Sequence, residues 1–269
     1  MIPFELAEPR SLAEAVGLLD AGDSSVRAFG GGTALMLTMK AGVFQPTRLI
    51  SLRSIEPRYA SVETAADGSL RIGALTTLAA LGRSAAVKTG APVIIDTLRT
   101  LANVRVRNVA TLGGHLAHAD PHMDLPPVLI ALDAQVVTAA PAGSRTLAVA
   151  DLFTGYYETA LARNELISEV MVPAQKGRCS AYIKLTTRTA DDWPTLGIAV
   201  SLTTDGETVQ DARIVVSAAT EKPLRLQTAE AALRGATITD AVLARVGEAA
   251  AAEAELVGDA HGSAAYKRE

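Results

Sequence analysis

Apolar residues along the first two thirds of the chain recur at two spacings, one typical of helices and one of short buried strands. Ser11 and Glu14 have the spacing of a capping box, and the apolar residues that follow keep helical period, so residues 12–19 are predicted to form a helix. Further strands are predicted over residues 26–29, 48–52, 70–73, 135–139 and 167–173, and further helices over residues 34–40, 76–81 (capped by Thr76), 91–104 and 126–134. This order indicates a mixture of helices and strands.

Beyond Gly177 the pattern changes to period two, which is typical of antiparallel strands. Asp205-Gly206 is a strong signal for a tight hairpin between two of them. The strands are predicted over residues 181–187, 195–204 and 209–218, and two helices are predicted over residues 223–255 with a break at residues 239–240. We therefore predict a domain boundary near residue 176, with domains over residues 1–176 and 177–269.

Two glycine turns occur in the chain, at residues 30–33 and at residues 111–114, and the first comes before a predicted helix. Consecutive glycines allow backbone N–H groups to form a concave nest, and a helix N-terminus adds partial positive charge, so phosphate is the natural ligand. The alternative for each turn is a tight connection without a ligand, in which Thr33 and Thr111 serve as capping hydroxyls. A dinucleotide-binding fingerprint is a poor fit because Leu35 stands where its third glycine belongs, and no P-loop pattern occurs.

Composition narrows the classes of function. A formal net charge of -4 without a basic cluster gives no indication of nucleic acid or of an anionic membrane. The single cysteine, Cys179, excludes an internal disulfide and an iron–sulfur cluster held by this chain alone. Residues 1–10 lack the features of a signal peptide, and no apolar run is long enough to span a bilayer, so we expect a cytoplasmic protein that could still attach to a membrane through partners.

Four motifs together resemble the flavoprotein, or medium, subunits of molybdenum hydroxylases similar to carbon monoxide dehydrogenase and xanthine dehydrogenase. In order they are FGGGT at residues 29–33, TLGGHLA at residues 111–117, PHMD at residues 121–124, and KL at residues 184–185 before DW at residues 192–193. The resemblance implies an α+β fold: a two-lobed PCMH-type FAD-binding domain, followed by a C-terminal domain of a small antiparallel sheet with helices. The motifs span most of the chain.

The resemblance also implies which residues contact FAD, and no residue of the chain is assigned as a catalytic acid, base or nucleophile. Both glycine turns would contact the diphosphate, Asp124 would bind polar groups of the cofactor, and Lys184 near the flavin carbonyl edge would stabilise a reduced, anionic ring. Trp193 would stack beside the isoalloxazine. The implied cofactor-binding residues are Phe29, Gly30, Gly31, Gly32, Thr33, Ala34, Leu101, Thr111, Leu112, Gly113, Gly114, His115, Asp124, Ile167, Lys184 and Trp193. The alternatives are a solvated strand lysine at Lys184 and a core tryptophan at Trp193.

Two departures from the family pattern are visible. His115 stands where the family commonly has Asn, which a phosphate site built on the backbone tolerates. The family also tends to continue as a further helix where this chain ends, so a truncated C-terminus is expected.

A metal site is the rival interpretation of one segment. His115, His118, Asp120, His122 and Asp124 fall within ten positions, and imidazole and carboxylate are suitable ligands for Zn²⁺ or Fe²⁺. The family motifs account for the same segment without a metal, so none is predicted.

By resemblance, the FAD held here would receive electrons from a [2Fe-2S] small subunit, itself fed by a large subunit that carries the molybdenum cofactor, and would pass them to an external acceptor. The resemblance implies assembly as a dimer of heterotrimers. The alternatives are a non-redox assembly or nucleotide-binding module of the same fold and a free-standing flavin oxidase. Neither the substrate nor the acceptor follows from the sequence.

Overall fold

The computed structural model describes residues 3–269, and residues 1–2 lie outside the described part. The first lobe is a small sheet in which β3 lies between β1 and β2, and all its pairs are parallel. Two 3₁₀ turns, at Leu52–Ser54 and Pro57–Ala60, lead out of it. Its elements are β1 (Glu5–Ala7), α1 (Leu12–Gly17), β2 (Val26–Phe29), α2 (Thr33–Lys40) and β3 (Arg48–Ser51).

The second lobe is a five-stranded antiparallel sheet, in the order β4-β5-β10-β6-β7, covered by helices. The largest hydrophobic core lies between this sheet and the helices. Its strands are β4 (Val62–Thr64), β5 (Leu70–Gly73), β6 (Gln135–Ala140), β7 (Gly143–Ala148), the short pair β8 (Phe153–Gly155) and β9 (Glu158–Thr159), and β10 (Leu166–Val172). Its helices are α3 (Leu78–Arg83), α4 (Ala85–Gly90), α5 (Pro92–Thr100), α6 (Val104–Arg107), α7 (Leu112–His118), α8 (Leu125–Ala131) and α9 (Val149–Leu152).

The C-terminal part is a four-stranded antiparallel sheet, in the order β11-β12-β13-β14, with a core of its own between the sheet and two helices. The predicted hairpin at Asp205-Gly206 is present, with Asp205 paired to Thr208 and Gly206 at a φ of 57°. The elements are β11 (Arg178–Leu185), β12 (Leu196–Asp205), β13 (Thr208–Ser217), β14 (Leu224–Arg225), α10 (Gln227–Leu233), α11 (Asp240–Glu253) and α12 (Ala264–Arg268). The α+β fold class is confirmed, whereas the boundary near residue 176 stays a prediction.

The prediction of one long helix over residues 91–104 is wrong, because the helix ends at Thr100. Ala102 has a φ of 50°, and the Asn103 side chain accepts hydrogen bonds from the backbone N–H groups of residues 105 and 106, which starts a separate helix. Apolar periodicity continues across this break, so it could not reveal the change of direction. A smaller correction applies to α3, whose capping side chain belongs to Thr77 rather than Thr76.

Several other helix ends differ by a few residues from the predicted ones. Helix α1 ends at Gly17, α2 begins at Thr33, and α8 ends at Ala131. The cap predicted at Ser11 is present, since its side chain accepts a hydrogen bond from the backbone N–H of Glu14. No helix within residues 3–269 is long and apolar enough to cross a membrane.

Candidate functional site

The first glycine turn joins the end of β2 to the start of α2. Gly32 precedes the first helical residue with a φ of 70°, and no side chain caps this helix. Within residues 3–269 the backbone N–H groups of residues 31–34 have no hydrogen-bond acceptor, and the first turn of α2 has no acidic side chain. Free N–H groups at a helix N-terminus carry partial positive charge and attract anions. This turn therefore has the donors that a phosphate group needs.

The second glycine turn has a different construction, and the expectation of a second nest of free N–H groups is wrong. The backbone N–H of Leu112 donates to the carbonyl of Thr76 at 3.0 Å, and that of Gly113 donates to the carbonyl of Ala74 at 2.7 Å. The N–H of Gly114 donates to the Thr111 hydroxyl oxygen at 3.2 Å, which is a helix cap. The turn therefore docks α7 onto the end of β5, and among residues 3–269 the Thr111 hydroxyl donates to no acceptor.

The two glycine turns pack directly against each other although about eighty residues separate them. A Cβ atom at Gly30 would lie 2.6 Å from Thr111 Oγ1, and one at Gly31 would lie 2.2 Å from the carbonyl oxygen of Val109. Both distances are far below van der Waals contact, so only glycine permits this approach. The two predicted turns are thus neighbours in the fold, with the N–H groups on the first turn and the Thr111 hydroxyl close to Gly30.

A buried ion pair joins the two domains predicted from the sequence. Lys184 Nζ lies 3.0 Å from Asp124 Oδ2 and 2.8 Å from the carbonyl oxygen of Thr100, and both charged side chains are 5% exposed. The alternative of a solvated strand lysine is therefore wrong. The Tyr182 hydroxyl donates to Asp124 Oδ1 at 2.7 Å, so both carboxylate oxygens have a donor.

The protonation of this cluster follows from its burial. Burial raises the pKa of Asp124 above its ordinary value, although the charge of Lys184 and the hydrogen bonds from Tyr182 and Lys184 pull it back. Burial and the charge of Asp124 raise the pKa of Tyr182 far above its ordinary value. The Tyr182 hydroxyl therefore stays protonated and acts as a donor.

The other predicted contact residues lie at varying distances from these features. Leu101 and Ile167 are buried in the largest core, so their side chains are packing residues. Leu101 follows Thr100, whose carbonyl binds Lys184, and its own carbonyl accepts a hydrogen bond from Arg107. Phe29 is half-buried at the end of β2, and Ala34 is the second residue of α2.

Trp193 is 58% exposed, so the alternative of a buried core tryptophan is wrong. Its ring centroid lies 6.5 Å from that of His122 and 6.2 Å from that of His261. Its predicted contact with the flavin stays a prediction.

His122 belongs to a polar network that links the loop before α8 to the C-terminal segment. Its Nε2 lies 2.8 Å from Asp259 Oδ2 and its Nδ1 lies 3.3 Å from Asp120 Oδ1. Lys267 Nζ donates to Asp259 at 2.6 Å and to the carbonyl of Ala218 at 2.7 Å. Between Pro3 and Glu269 no group of three or more His, Cys, Asp or Glu side chains is arranged to hold a metal ion. His122 is thus engaged in hydrogen bonds, and the His118 ring lies 5.3 Å from that of Tyr157.

His115, the departure from the family motif, lies on α7 with its Nε2 buried and without a hydrogen-bond partner among the described residues. Burial is the main cause that lowers its pKa to about 4, and the neighbouring His118 lowers it further. The ring is therefore neutral at physiological pH.

Sequence reasoning missed two partners of the predicted site, the Tyr182 hydroxyl and the Thr100 carbonyl. Tyr182 stands two residues before Lys184 in a predicted strand, so both side chains had to share one face. That spacing was the available signal. No comparable signal pointed to Thr100, because a backbone carbonyl is present at every residue.

Comparisons with known proteins identify the family of this chain. Residues 2–175 match the family model described as the FAD binding domain in molybdopterin dehydrogenase, and residues 181–269 match the CO dehydrogenase flavoprotein C-terminal domain. The carbon monoxide dehydrogenase medium chain of Hydrogenophaga pseudoflava is 35% identical over 99% of this chain and 93% of that protein. The nicotine 6-hydroxylase medium subunit of Paenarthrobacter nicotinovorans is 33% identical over 97% of this chain and 90% of its own length.

Solved structures show the same fold. A carbon monoxide dehydrogenase from Hydrogenophaga pseudoflava superposes with a TM-score of 0.94 at 36% identity, over 100% of this chain and 93% of that one. A quinoline 2-oxidoreductase from Pseudomonas putida 86 superposes with a TM-score of 0.93 at 28% identity, over 99% of this chain and 92% of that one. This chain therefore belongs to the FAD-binding medium subunits of the molybdenum hydroxylase family, the flavoprotein subunits of oxidoreductase complexes.

Proposed function

We propose that this chain binds the FAD diphosphate at the free N–H groups of residues 31–34, beside the Thr111 hydroxyl, and thereby carries electrons between partner subunits and an external acceptor. One observation carries the proposal: the N-terminus of α2 has no capping side chain, and the turn before it packs against the second glycine turn, which has the Thr111 hydroxyl. A diphosphate at such a terminus gains both hydrogen bonds and the favourable helix dipole. The first turn of α2 has no acidic side chain that would repel the diphosphate.

The pair Asp124 and Lys184 is the proposed polar contact for the rest of the cofactor. Lysine has three N–H donors, and two of those of Lys184 go to Asp124 and to the Thr100 carbonyl. The third donor is left for an acceptor on the cofactor. When bound, FAD supplies the exchange of electrons between carriers, and the protein orients it and sets the charge around it.

The remaining predicted contacts stay part of the proposal. The backbone at Leu101 and Ile167 would line the cofactor site, and Trp193 would cover one face of the flavin ring. Phe29, Gly30, Ala34 and His115 would support the turns that hold the diphosphate, and Leu112, Gly113 and Gly114 would do so by packing rather than by donating free N–H groups.

We further propose partner subunits: a small one with the [2Fe-2S] clusters and a large one with the molybdenum cofactor, assembled as a dimer of heterotrimers in the cytoplasm. The relatives are named as medium chains or subunits of enzymes for carbon monoxide, glyceraldehyde and nicotine. Medium subunits that are 29–35% identical to this chain thus belong to enzymes for different substrates, which supports substrate oxidation on another subunit. The same naming favours a subunit of a complex over a free-standing oxidase or a non-redox module.

The test is the flavin content of the complex formed by the full chain with its large and small partners. Thr111→Ala removes the hydroxyl beside the proposed diphosphate site and uncaps α7, whereas Thr77→Ala uncaps α3 through the same kind of bond, at 3.1 Å. Each lost cap costs about 1 kcal/mol of stability. We expect the visible flavin bands to weaken only in Thr111→Ala. Equal flavin content in the two variants would refute the diphosphate site, and a wild-type complex that takes up no FAD would refute the proposed function.

A further inference from the structure

The Tyr182 hydroxyl occupies a prepared position between the C-terminal sheet and the FAD-binding domain. It donates to Asp124 Oδ1 at 2.7 Å, while Lys184 on the same strand holds Oδ2 at 3.0 Å. Residues two apart on a strand point to the same side, so β11 presents a hydroxyl and an ammonium group to one carboxylate. The orientation of Asp124 is therefore set from both of its oxygens by a different domain.

Gly197 makes room for this hydroxyl. It lies opposite Lys184 in the pairing of β11 with β12, and a Cβ atom there would be 2.5 Å from Tyr182 Oη. The same Cβ atom would be 2.6 Å from Ser217 Oγ on β13. Any larger residue at this position would displace the hydroxyl from Asp124, so the sheet is built around it.

Removing the hydroxyl changes the charge of the pair as well as its shape. Asp124 is buried, so an oxygen without a donor is costly, and the carboxylate can respond by turning both oxygens to Lys184 or by taking up a proton. The first response draws Lys184 away from the carbonyl of Thr100, and the second leaves a net positive charge. Either one alters the field at a cofactor held against Lys184.

We propose that Tyr182 is a positioning residue whose hydroxyl fixes Asp124, and through it Lys184, in the orientation and charge state that set the potential of the bound flavin. The proposal rests on the proposed function, because it needs FAD beside Lys184. Tyr182 itself does not have to touch the cofactor.

The first test measures the flavin midpoint potential, and its dependence on pH, in the assembled complex carrying Tyr182→Phe. The matched control is Tyr157→Phe, which removes another tyrosine-to-aspartate hydrogen bond, at 3.0 Å to Asp120. We expect about a tenfold change in the ratio of oxidised to reduced flavin at a fixed potential, which is about 30 mV for a two-electron couple, in Tyr182→Phe alone. A potential equal to that of the wild type in a flavin-loaded Tyr182→Phe complex would overturn the proposal.

The second test asks whether Tyr182 acts through Asp124. In an Asp124→Asn background, Tyr182→Phe should add no further change in potential, because the charge it orients is gone. Gly197→Ala, which keeps the tyrosine but fills its space, should shift the potential in the same direction as Tyr182→Phe. Additive effects of Asp124→Asn and Tyr182→Phe on the potential would show an independent role for Tyr182 and contradict the proposal. A wild-type complex without flavin would instead count against the proposed function.

Discussion

Gly31 lies so close to Val109 that a Cβ atom at Gly31 would be 2.2 Å from the Val109 carbonyl oxygen and 2.7 Å from its carbonyl carbon. The first glycine turn therefore serves two purposes. It exposes N–H groups at the start of α2, and it allows the first lobe to approach the second. A substitution in this turn therefore affects both the N–H donors and the contact between the lobes.

Gly31→Ala is expected to destabilise the contact between the lobes as well as to release flavin. The neighbouring atoms are backbone atoms, which cannot rotate away, and overpacking of this kind typically costs about 1–3 kcal/mol. The control is Gly17→Ala in α1, where no atom lies within 4 Å of the added Cβ. Thermal unfolding of the full chain should show a lower midpoint for Gly31→Ala only. An unchanged midpoint would mean that the lobes separate without cost at this contact.

Lys184→Met is expected to be among the most destabilising single substitutions at the domain junction. It leaves the buried Asp124 carboxylate without its counter-charge, and breaking a buried pair costs about 3–5 kcal/mol. Arg71→Met removes a salt bridge to Glu169 whose arginine side chain is 54% exposed, and it should cost about 1 kcal/mol or less. Urea unfolding of the full chain measures both. Adding Asp124→Asn should recover part of the loss in Lys184→Met, and a purely additive double variant would argue against a coupled pair.

Trp193 provides a direct optical report on the cofactor site, because it is the sole tryptophan of the chain. Because the residue is 58% exposed, its fluorescence without flavin should be readily quenched by iodide or acrylamide. If the flavin stacks on it, FAD binding should quench the emission and protect the ring from the added quencher. Emission that is unchanged on loading with FAD would place the tryptophan away from the flavin.

His115 is expected to make the fold sensitive to acid. Its pKa is lowered from about 6.5 to about 4 in the folded chain, chiefly by burial, so the unfolded chain binds the proton more readily. Its contribution to stability is complete above pH 6.5 and is lost as the pH falls toward 4, by roughly 3 kcal/mol at most. His115→Asn should therefore reduce the loss of stability over this window, as measured by unfolding at a series of pH values.

His122 gives the contrasting case for the same measurement. Burial alone would lower its pKa, but hydrogen bonds to Asp120 and Asp259 outweigh burial and raise it. Its contribution is complete below pH 6.5 and is lost as the pH rises through the higher folded pKa. His122→Asn should change the pH dependence above 6.5, and His115→Asn the dependence below it. Identical profiles for the two variants would contradict these assignments.

Most element positions followed from local patterns in the sequence. The capped helix at Ser11, the strand–glycine–helix order around residues 26–40 and the hairpin at Asp205-Gly206 each depend on neighbouring residues. The break after Thr100 did not follow, because it is held by the Asn103 cap and by Arg107 binding the carbonyl of Leu101, while the apolar period runs on across it.

For the candidate site too, the sequence determined the local features, and the tertiary structure determined the contacts between distant residues. From the sequence alone came the two glycine turns, Asp124 and Lys184 as cofactor residues by resemblance, and the inference that any iron–sulfur cluster lies on another chain. Only the tertiary structure decided which N–H groups are free. In the second turn, the carbonyls of Ala74 and Thr76 accept hydrogen bonds from the N–H groups of Gly113 and Leu112. It also decided that Tyr182 holds Asp124 across 58 positions of sequence. Hydrophobic period and turn chemistry act between near neighbours, whereas the pairing of buried polar groups depends on which distant segments packing brings together.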